Sequence, residues 1–221
     1  MIKLLSLLFT TMILTGCGST PEKVTPVMPT NGKTPIILAL GDSLTAGYNL
    51  PPEESYTVQL EALLRAEGYS HSVRNAGISG DTTAQLLARL DWTIGTDPVE
   101  HPTLAIVEIG ANDAFQGIDP STTEANIRSI LKKLVDLRIP TLLTGMKAPP
   151  NLGRAYGAKF ESIYPRLADE FKVPLMEFFL QDVAAVPALN LGDGIHPTRE
   201  GYAIVAKNVF DSLLKNSLIT K

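Results

Sequence analysis

A serine, a histidine and two carboxylates stand out in this chain, each in a short segment suited to presenting a side chain. Gly41-Asp42-Ser43-Leu44 follows an apolar run at residues 35–40, and Asp193-Gly194-Ile195-His196-Pro197 lies near the other end. A hydroxyl is a weak nucleophile at neutral pH. It needs an adjacent base, and that base needs a carboxylate to orient it. Asp193 and His196 are three apart, close enough to meet across one turn, and Pro197 holds His196 out of the α region. A serine directly after a strand stands exposed at the rim of a sheet, and Gly41 permits a tight turn there. The pattern is not the G-x-S-x-G elbow, because Thr45 occupies the position two after Ser43. Each segment alone also has a plain structural reading, Gly-Asp-Ser as a turn or helix cap and Asp-x-x-His as a capped helix start. His71, at a strand start, and His101, in a Pro-flanked loop, lack such a partner and read as surface or structural residues.

Two further glycine-rich segments could complete a site. In Asn75-Ala76-Gly77-Ile78-Ser79-Gly80-Asp81-Thr82 the backbone N–H of Gly80 can approach a ligand closely, and in Gly110-Ala111-Asn112-Asp113 the Asn112 amide can donate. Two or three such donors stabilise a tetrahedral oxyanion, and losing one costs roughly 10²–10³ in rate. Turns at strand ends that simply favour Gly and Asn are the alternative for both. No His/Cys/Asp/Glu cluster has metal-ligand spacing, and there is no GxxxxGK[ST] loop, so neither metal nor cofactor is expected.

The elements that must hold these segments alternate along the chain. Residues 35–40 form a continuous apolar run, as in a strand buried on both faces. A helix is expected over 56–66, with Val58, Leu60, Leu63 and Leu64 near helical spacing and Gly68 as its stop. A strand at 71–75, a helix over 82–90 and a core strand at 104–109 follow. Ser121-Thr122-Thr123-Glu124 has capping-box spacing and precedes Ile127, Ile130, Leu131, Leu134 and Val135 on one helical face. A strand at 141–144, a helix over 158–171, a strand at 173–177 and a helix over 199–214 burying Ile204, Val205, Val209 and Leu213 complete the pattern. Strands separated by such helices make βαβ units, hence a parallel sheet between helices, with ligands outside the carboxyl ends of the strands.

The 221 residues fit one domain with an ample core. A formal charge of −4 with scattered basic residues argues against nucleic acid as a partner, and Lys132-Lys133 reads as a solvated helix face. The N-terminus stands apart from the fold. Lys3 precedes an apolar stretch over residues 4–14, too short for a span of about 20 residues but suited to a signal peptide. Leu14-Thr15-Gly16-Cys17 then resembles a bacterial lipoprotein cleavage box, with the Cys17 thiol as lipid acceptor. An ordinary cleaved signal with an incidental Cys17 is the alternative. Cys17 is the only cysteine, so no intramolecular disulfide forms. Residues 17–34 are rich in Pro, Thr, Ser and Gly and read as a tether, leaving 35–221 as the folded domain.

Taken together, the four segments, in this order and each after an expected strand, resemble the blocks of the SGNH (GDSL) hydrolase family. The resemblance implies a three-layer α/β/α sandwich with a flavodoxin-like five-stranded parallel sheet. It implies Ser43 as nucleophile, His196 as base and Asp193 as its orienter. Its oxyanion donors are the N–H groups of Ser43 and Gly80 and the side chain of Asn112. Over about residues 36–210 the likeness extends to the branch of multifunctional acyl-CoA thioesterase I, lysophospholipase L1 and arylesterases. It is carried by LGDSLTAGYNL, NAGISGDTT, ARL, VEIGANDAFQGI, NLGRAYGAKFESIYPRLADEF, VPLMEFF and DGIHPTREGY. Ala111 stands where the family commonly has Gly. The implied substrates are small acyl esters, thioesters or lysophospholipids. A carbohydrate acetylesterase using the same blocks is the second reading, and a non-enzymatic binding lipoprotein the third. With Cys17 lipidated, the protein is expected on the periplasmic side of a membrane, the outer one by analogy since Gly18 offers no Asp-type retention signal. No motif addresses oligomeric state, and a monomer is the default expectation.

Overall fold

The computed structural model describes residues 34–221. The expected signal peptide, Cys17 and the expected tether up to residue 33 lie outside the described residues. The chain alternates strand and helix from the start. Strand β1 (Ile36–Gly41) leads into a single-turn helix α1 (Ser43–Ala46), then α2 (Tyr56–Ala66), β2 (Ser72–Gly77) and α3 (Thr83–Ile94). Next come β3 (Leu104–Val107), the short α4 (Ala111–Phe115), α5 (Pro120–Asp136) and β4 (Thr141–Thr144). The chain ends with α6 (Arg154–Glu161), α7 (Ile163–Phe171), β5 (Leu175–Met176) and α8 (Arg199–Lys215).

All strand pairs are parallel, in the order β2-β1-β3-β4-β5. This is the flavodoxin-like arrangement, and its order reverses between β1 and β3, the place beyond the strand ends where such sheets bind ligands. The central strands carry the core. Ile37–Leu40, Leu104–Val107, Leu142 and Leu143 are buried, which their uninterrupted apolar runs require once helices cover both faces. On one side α2 packs against α8, and on the other α3, α5 and α7 pack in succession. Strand β2 is an edge and is only half-buried, consistent with its polar Ser72, Arg74 and Asn75.

Several local expectations needed correction. Helix α5 starts one residue before the Ser121 capping box. Asp119 is the cap, its carboxylate accepting the Ser121 amide at 2.8 Å, and Pro120 takes the first helical position, where a missing N–H costs nothing. The helix expected over 158–171 is two helices with a break at Ser162. Pro165 cannot donate to the Glu161 carbonyl, so the ladder is interrupted there. Val58 and Val135 are exposed although they sit near the apolar stripes, while Tyr56 and Thr57 are buried in their place on α2. Ile204 is only half-buried, but Val205, Val209 and Leu213 line the inner face of α8.

Candidate active site

Ser43 occupies the first turn of α1, directly beyond β1. Asp42 caps that helix through its Oδ1, which accepts the Leu44 amide at 3.0 Å, so the turn is fixed by a side chain adjacent to the serine. Gly77, at the end of β2, lies flat beneath it. A Cβ on Gly77 would strike the backbone of Asp42, Thr45 and Ala46, so only glycine lets β2 and the serine turn approach so closely.

Asp193 and His196 form a local unit, as their spacing anticipates, though in a turn rather than a helix. Asp193 Oδ1 accepts the amides of Ile195 at 2.9 Å and His196 at 3.0 Å, while Oδ2 accepts from His196 Nδ1 at 2.7 Å. Partial burial pushes the Asp193 carboxyl up. The two amides and the imidazole outweigh it and hold the group at about 2. An ionised carboxylate can only accept, so Nδ1 of His196 carries the hydrogen and Nε2 presents a lone pair. That nitrogen faces Ser43 Oγ at 2.9 Å, across 153 residues of chain. The loop is closed on itself up to Thr198, the N-cap of α8: Leu191 N–H donates to the His196 carbonyl at 2.7 Å and Thr198 N–H to the Leu189 carbonyl at 2.9 Å. The ring of Tyr48 lies against the imidazole, with centroids 4.5 Å apart.

The expected oxyanion donors converge on the same rim. Gly80 sits between β2 and α3 at φ +90°, in a turn closed by Asp81 N–H donating to the Ile78 carbonyl at 3.1 Å. Asn112 is on the first turn of α4. Its neighbour Asp113 is buried and accepts from the Thr83 amide and hydroxyl and from the Thr123 hydroxyl, which ties α4 to the starts of α3 and α5. The Asn112 Nδ2 donates to the Asp81 carbonyl at 2.9 Å and, more loosely, to Asp42 Oδ2 at 3.2 Å. Among the described residues no backbone acceptor in a turn or loop takes the N–H of Gly80 or of Ser43. Hydrogen bonds thus link the segments of Ser43, Gly80, Asn112, Asp193 and His196 beyond the strand ends at the β1/β3 reversal.

Some contributors leave little trace in the sequence. Glu108, just past β3, is buried beneath the serine turn and accepts from the Thr45 hydroxyl at 2.9 Å. Burial pushes both Asp42 and Glu108 above the usual carboxylate range. The Leu44 amide and the Glu108 side chain pull Asp42 partly back while the nearby Asp81 and Asp113 charges raise it, and the Asp42 charge raises Glu108 further against the Thr45 hydroxyl, so both carboxyls are held above their ordinary values. Arg89 on α3 pairs with Asp81 at 2.6 Å. The ARL segment of the resemblance was the available sign of Arg89, and nothing in the sequence pointed to Asp81 as its partner. His71 and His101 lie elsewhere: burial pushes His71 down, and His101 Nδ1 contacts the Pro102 carbonyl at 3.2 Å. Among the described residues no group of His, Cys, Asp and Glu could hold a metal.

Known proteins resemble this chain in sequence and fold. The model of the "GDSL-like Lipase/Acylhydrolase family" matches residues 39–204. An arylesterase of Vibrio mimicus is 37% identical over 181 residues, covering 81% of this chain and 88% of that protein. Thioesterase 1/protease 1/lysophospholipase L1 of Escherichia coli K12 is 40% identical over 171 residues, covering 77% of this chain and 79% of that protein. Among solved structures, AlinE4, described as an SGNH-hydrolase family esterase, superposes with a TM-score of 0.71 at 43% identity. That match covers 84% of this chain and 98% of AlinE4.

Proposed function

The chain belongs to the GDSL-like lipase/acylhydrolase family and is a serine hydrolase acting on ester bonds; from that premise we propose that Ser43 is its nucleophile, His196 the general base and Asp193 the group that orients it. His196 Nε2 takes the Ser43 proton as Oγ attacks the acyl carbonyl. The resulting oxyanion rests on the N–H groups of Ser43 and Gly80 and on the Asn112 amide, whose looser hydrogen bond to Asp42 is the one exchanged. His196 then returns the proton to the leaving oxygen or sulfur, an acyl-Ser43 remains, and water activated by the same imidazole releases the acid. The supporting observation is the unbroken relay from Asp193 Oδ2 through His196 to Ser43 Oγ, at 2.7 and 2.9 Å.

Substrates in this reading are small acyl esters, including aryl esters, together with thioesters and lysophospholipids. The names of the relatives support that range, as do exposed apolar side chains on every segment of the site: Tyr48, Ile78, Phe115 and Ile195. These can cover an acyl or aryl group while leaving a polar head in water. The protein is further proposed to be an exported lipoprotein anchored through Cys17, on the strength of residues 1–17 alone. The domain is brought to its substrate by that anchor, and no helix among the described residues could cross a membrane.

The test is Ser43→Ala in parallel with fluorophosphonate labelling. The parent should label at Ser43 and turn over p-nitrophenyl esters, and the variant should lose both, with kcat down roughly 10⁴–10⁶-fold. Its thermal midpoint should barely move, because the hydroxyl's partner is the His196 ring. Turnover retained by the variant would reject the assignment.

A further inference from the structure

Arg89 is a largely covered cation beside this site, and its guanidinium makes four hydrogen bonds. Nε donates to Asp81 Oδ2 at 2.6 Å, Nη1 to the Thr93 hydroxyl at 3.2 Å, and Nη2 to two carbonyls, Ala76 at 2.9 Å and Gly41 at 3.1 Å. Gly41 ends β1 and is separated from Ser43 only by Asp42. Ala76 belongs to the end of β2, and Asp81 directly follows Gly80. A single rigid plane therefore joins the two strand ends and the loop from which the expected oxyanion donors project. Only 15% of the Arg89 side chain and 8% of the Asp81 side chain are exposed, so water cannot readily replace these bonds.

The chain of contacts continues to the third donor. The Asp81 carbonyl accepts Asn112 Nδ2 at 2.9 Å, and this is the tighter of the two bonds fixing that amide. A shift of the Asp81 peptide thus moves Asn112 through the hydrogen bond and Gly80 through the main chain. A shift at Gly41 moves the Ser43 amide. Guanidinium geometry suits such bracing, since a planar fork can bind a carboxylate edge-on and still reach carbonyls at fixed angles, which a lysine ammonium cannot.

We propose that Arg89 is the positioning residue of the oxyanion hole, bracing the donors of Ser43, Gly80 and Asn112 in one register. The proposal rests on the assignment of those donors made above. Arg89 touches neither substrate nor nucleophile; it acts by holding peptides whose displacement by about 1 Å is enough to cost on the order of 10² in rate.

Arg89→Lys keeps the charge opposite Asp81 and removes the fork, so it tests geometry rather than charge. In the full-length protein, with p-nitrophenyl butyrate, kcat should fall roughly 10–100-fold while KM stays within about threefold, because oxyanion donors act in the transition state. Asn112→Ala is the control for the underlying assignment and should lose roughly 10²–10³ in kcat. In the Asn112→Ala background, Arg89→Lys should cost less than in the parent, since part of its effect passes through Asn112. A general loss of packing would instead give equal costs in both backgrounds. Arg89→Ala, assayed with added guanidinium at millimolar concentration, should recover kcat where methylammonium does not.

If Arg89→Lys does not fold, Asp81→Asn, which keeps the carbonyl and breaks the ion pair, carries the test and should lower kcat in the same selective way. A folded Arg89→Lys within threefold of the parent, or equal costs in both backgrounds, overturns the proposal while leaving the donor assignment intact. An Asn112→Ala variant with unchanged kcat overturns the donor assignment itself.

Discussion

Asp193→Asn separates orientation of the imidazole from the mere presence of a polar neighbour. In the parent, Oδ1 holds two amides and Oδ2 holds His196 Nδ1. An asparagine at this position offers one acceptor end and one donor end. The two amides claim the acceptor, because turning the side chain over would set an NH₂ against two N–H donors. The NH₂ therefore faces Nδ1, the imidazole carries its hydrogen on Nε2, and that nitrogen can no longer take the Ser43 proton. The parent tautomer is held by a charge-assisted hydrogen bond of about 1.5–3 kcal/mol, and the reversed bond contributes about 0.5–1.5 kcal/mol in the opposite sense. The sum of about 2–4.5 kcal/mol corresponds to roughly 30- to 2,000-fold in kcat. The Asp193 side chain is 36% exposed, and water screens it, so the expected loss is about a hundredfold. That is less than the roughly 10⁴-fold seen at a fully buried triad carboxylate. Steady-state hydrolysis of p-nitrophenyl butyrate at neutral pH, with circular dichroism to show an intact fold, measures it. A folded Asp193→Asn within fivefold of the parent would refute the tautomer argument.

Burial of Asp42 and Glu108 predicts a pH slope in stability. Their native pKa values lie above the unfolded ones, so the native state holds more protons, and stability present at low pH is lost as pH rises through the native values. The urea midpoint should therefore fall between pH 5 and 8, and Glu108→Gln should flatten the fall by up to about 1.4 kcal/mol per pH unit. Comparing variant with parent cancels His71, whose lowered native value gives the opposite slope below about 6.5; parallel curves would count against a raised Glu108 pKa. Gly77→Ala drives a methyl into the backbone of the serine turn. It should lower stability by about 1–3 kcal/mol and reduce kcat at least tenfold, read by thermal unfolding and ester turnover; parent values for both would show that the turn can yield. Cys17→Ala should leave ester turnover unchanged and move the protein from the membrane fraction to the soluble one, and a variant that still sediments with membranes would reject the anchor.

Much of this protein is governed by contacts no longer than one helical turn, and those are legible in the residue order. The apolar runs at 36–40 and 104–107 demand burial on both faces, which gives a parallel sheet covered by helices. Asp193 and His196 build their own turn because a carboxylate three residues away can reach both the amide and the ring. Even the departures from expectation follow local rules: Asp119-Pro120 outranks the Ser121 spacing, and Pro165 splits a helix that hydrophobic spacing alone would continue.

What only the folded chain decides are meetings between groups far apart in sequence whose partners are main-chain atoms or buried acids. Arg89 binds the carbonyls of Gly41 and Ala76, and a carbonyl carries no residue-specific signal. Glu108 meets Thr45 across 63 residues, and it sits under the serine turn because β1 and β3 pair with Leu40 opposite Val107. Strand register and helix packing set those distances to within a hydrogen bond's tolerance. Both arise from summed contacts over the whole sheet, so no single segment of the sequence could have specified them.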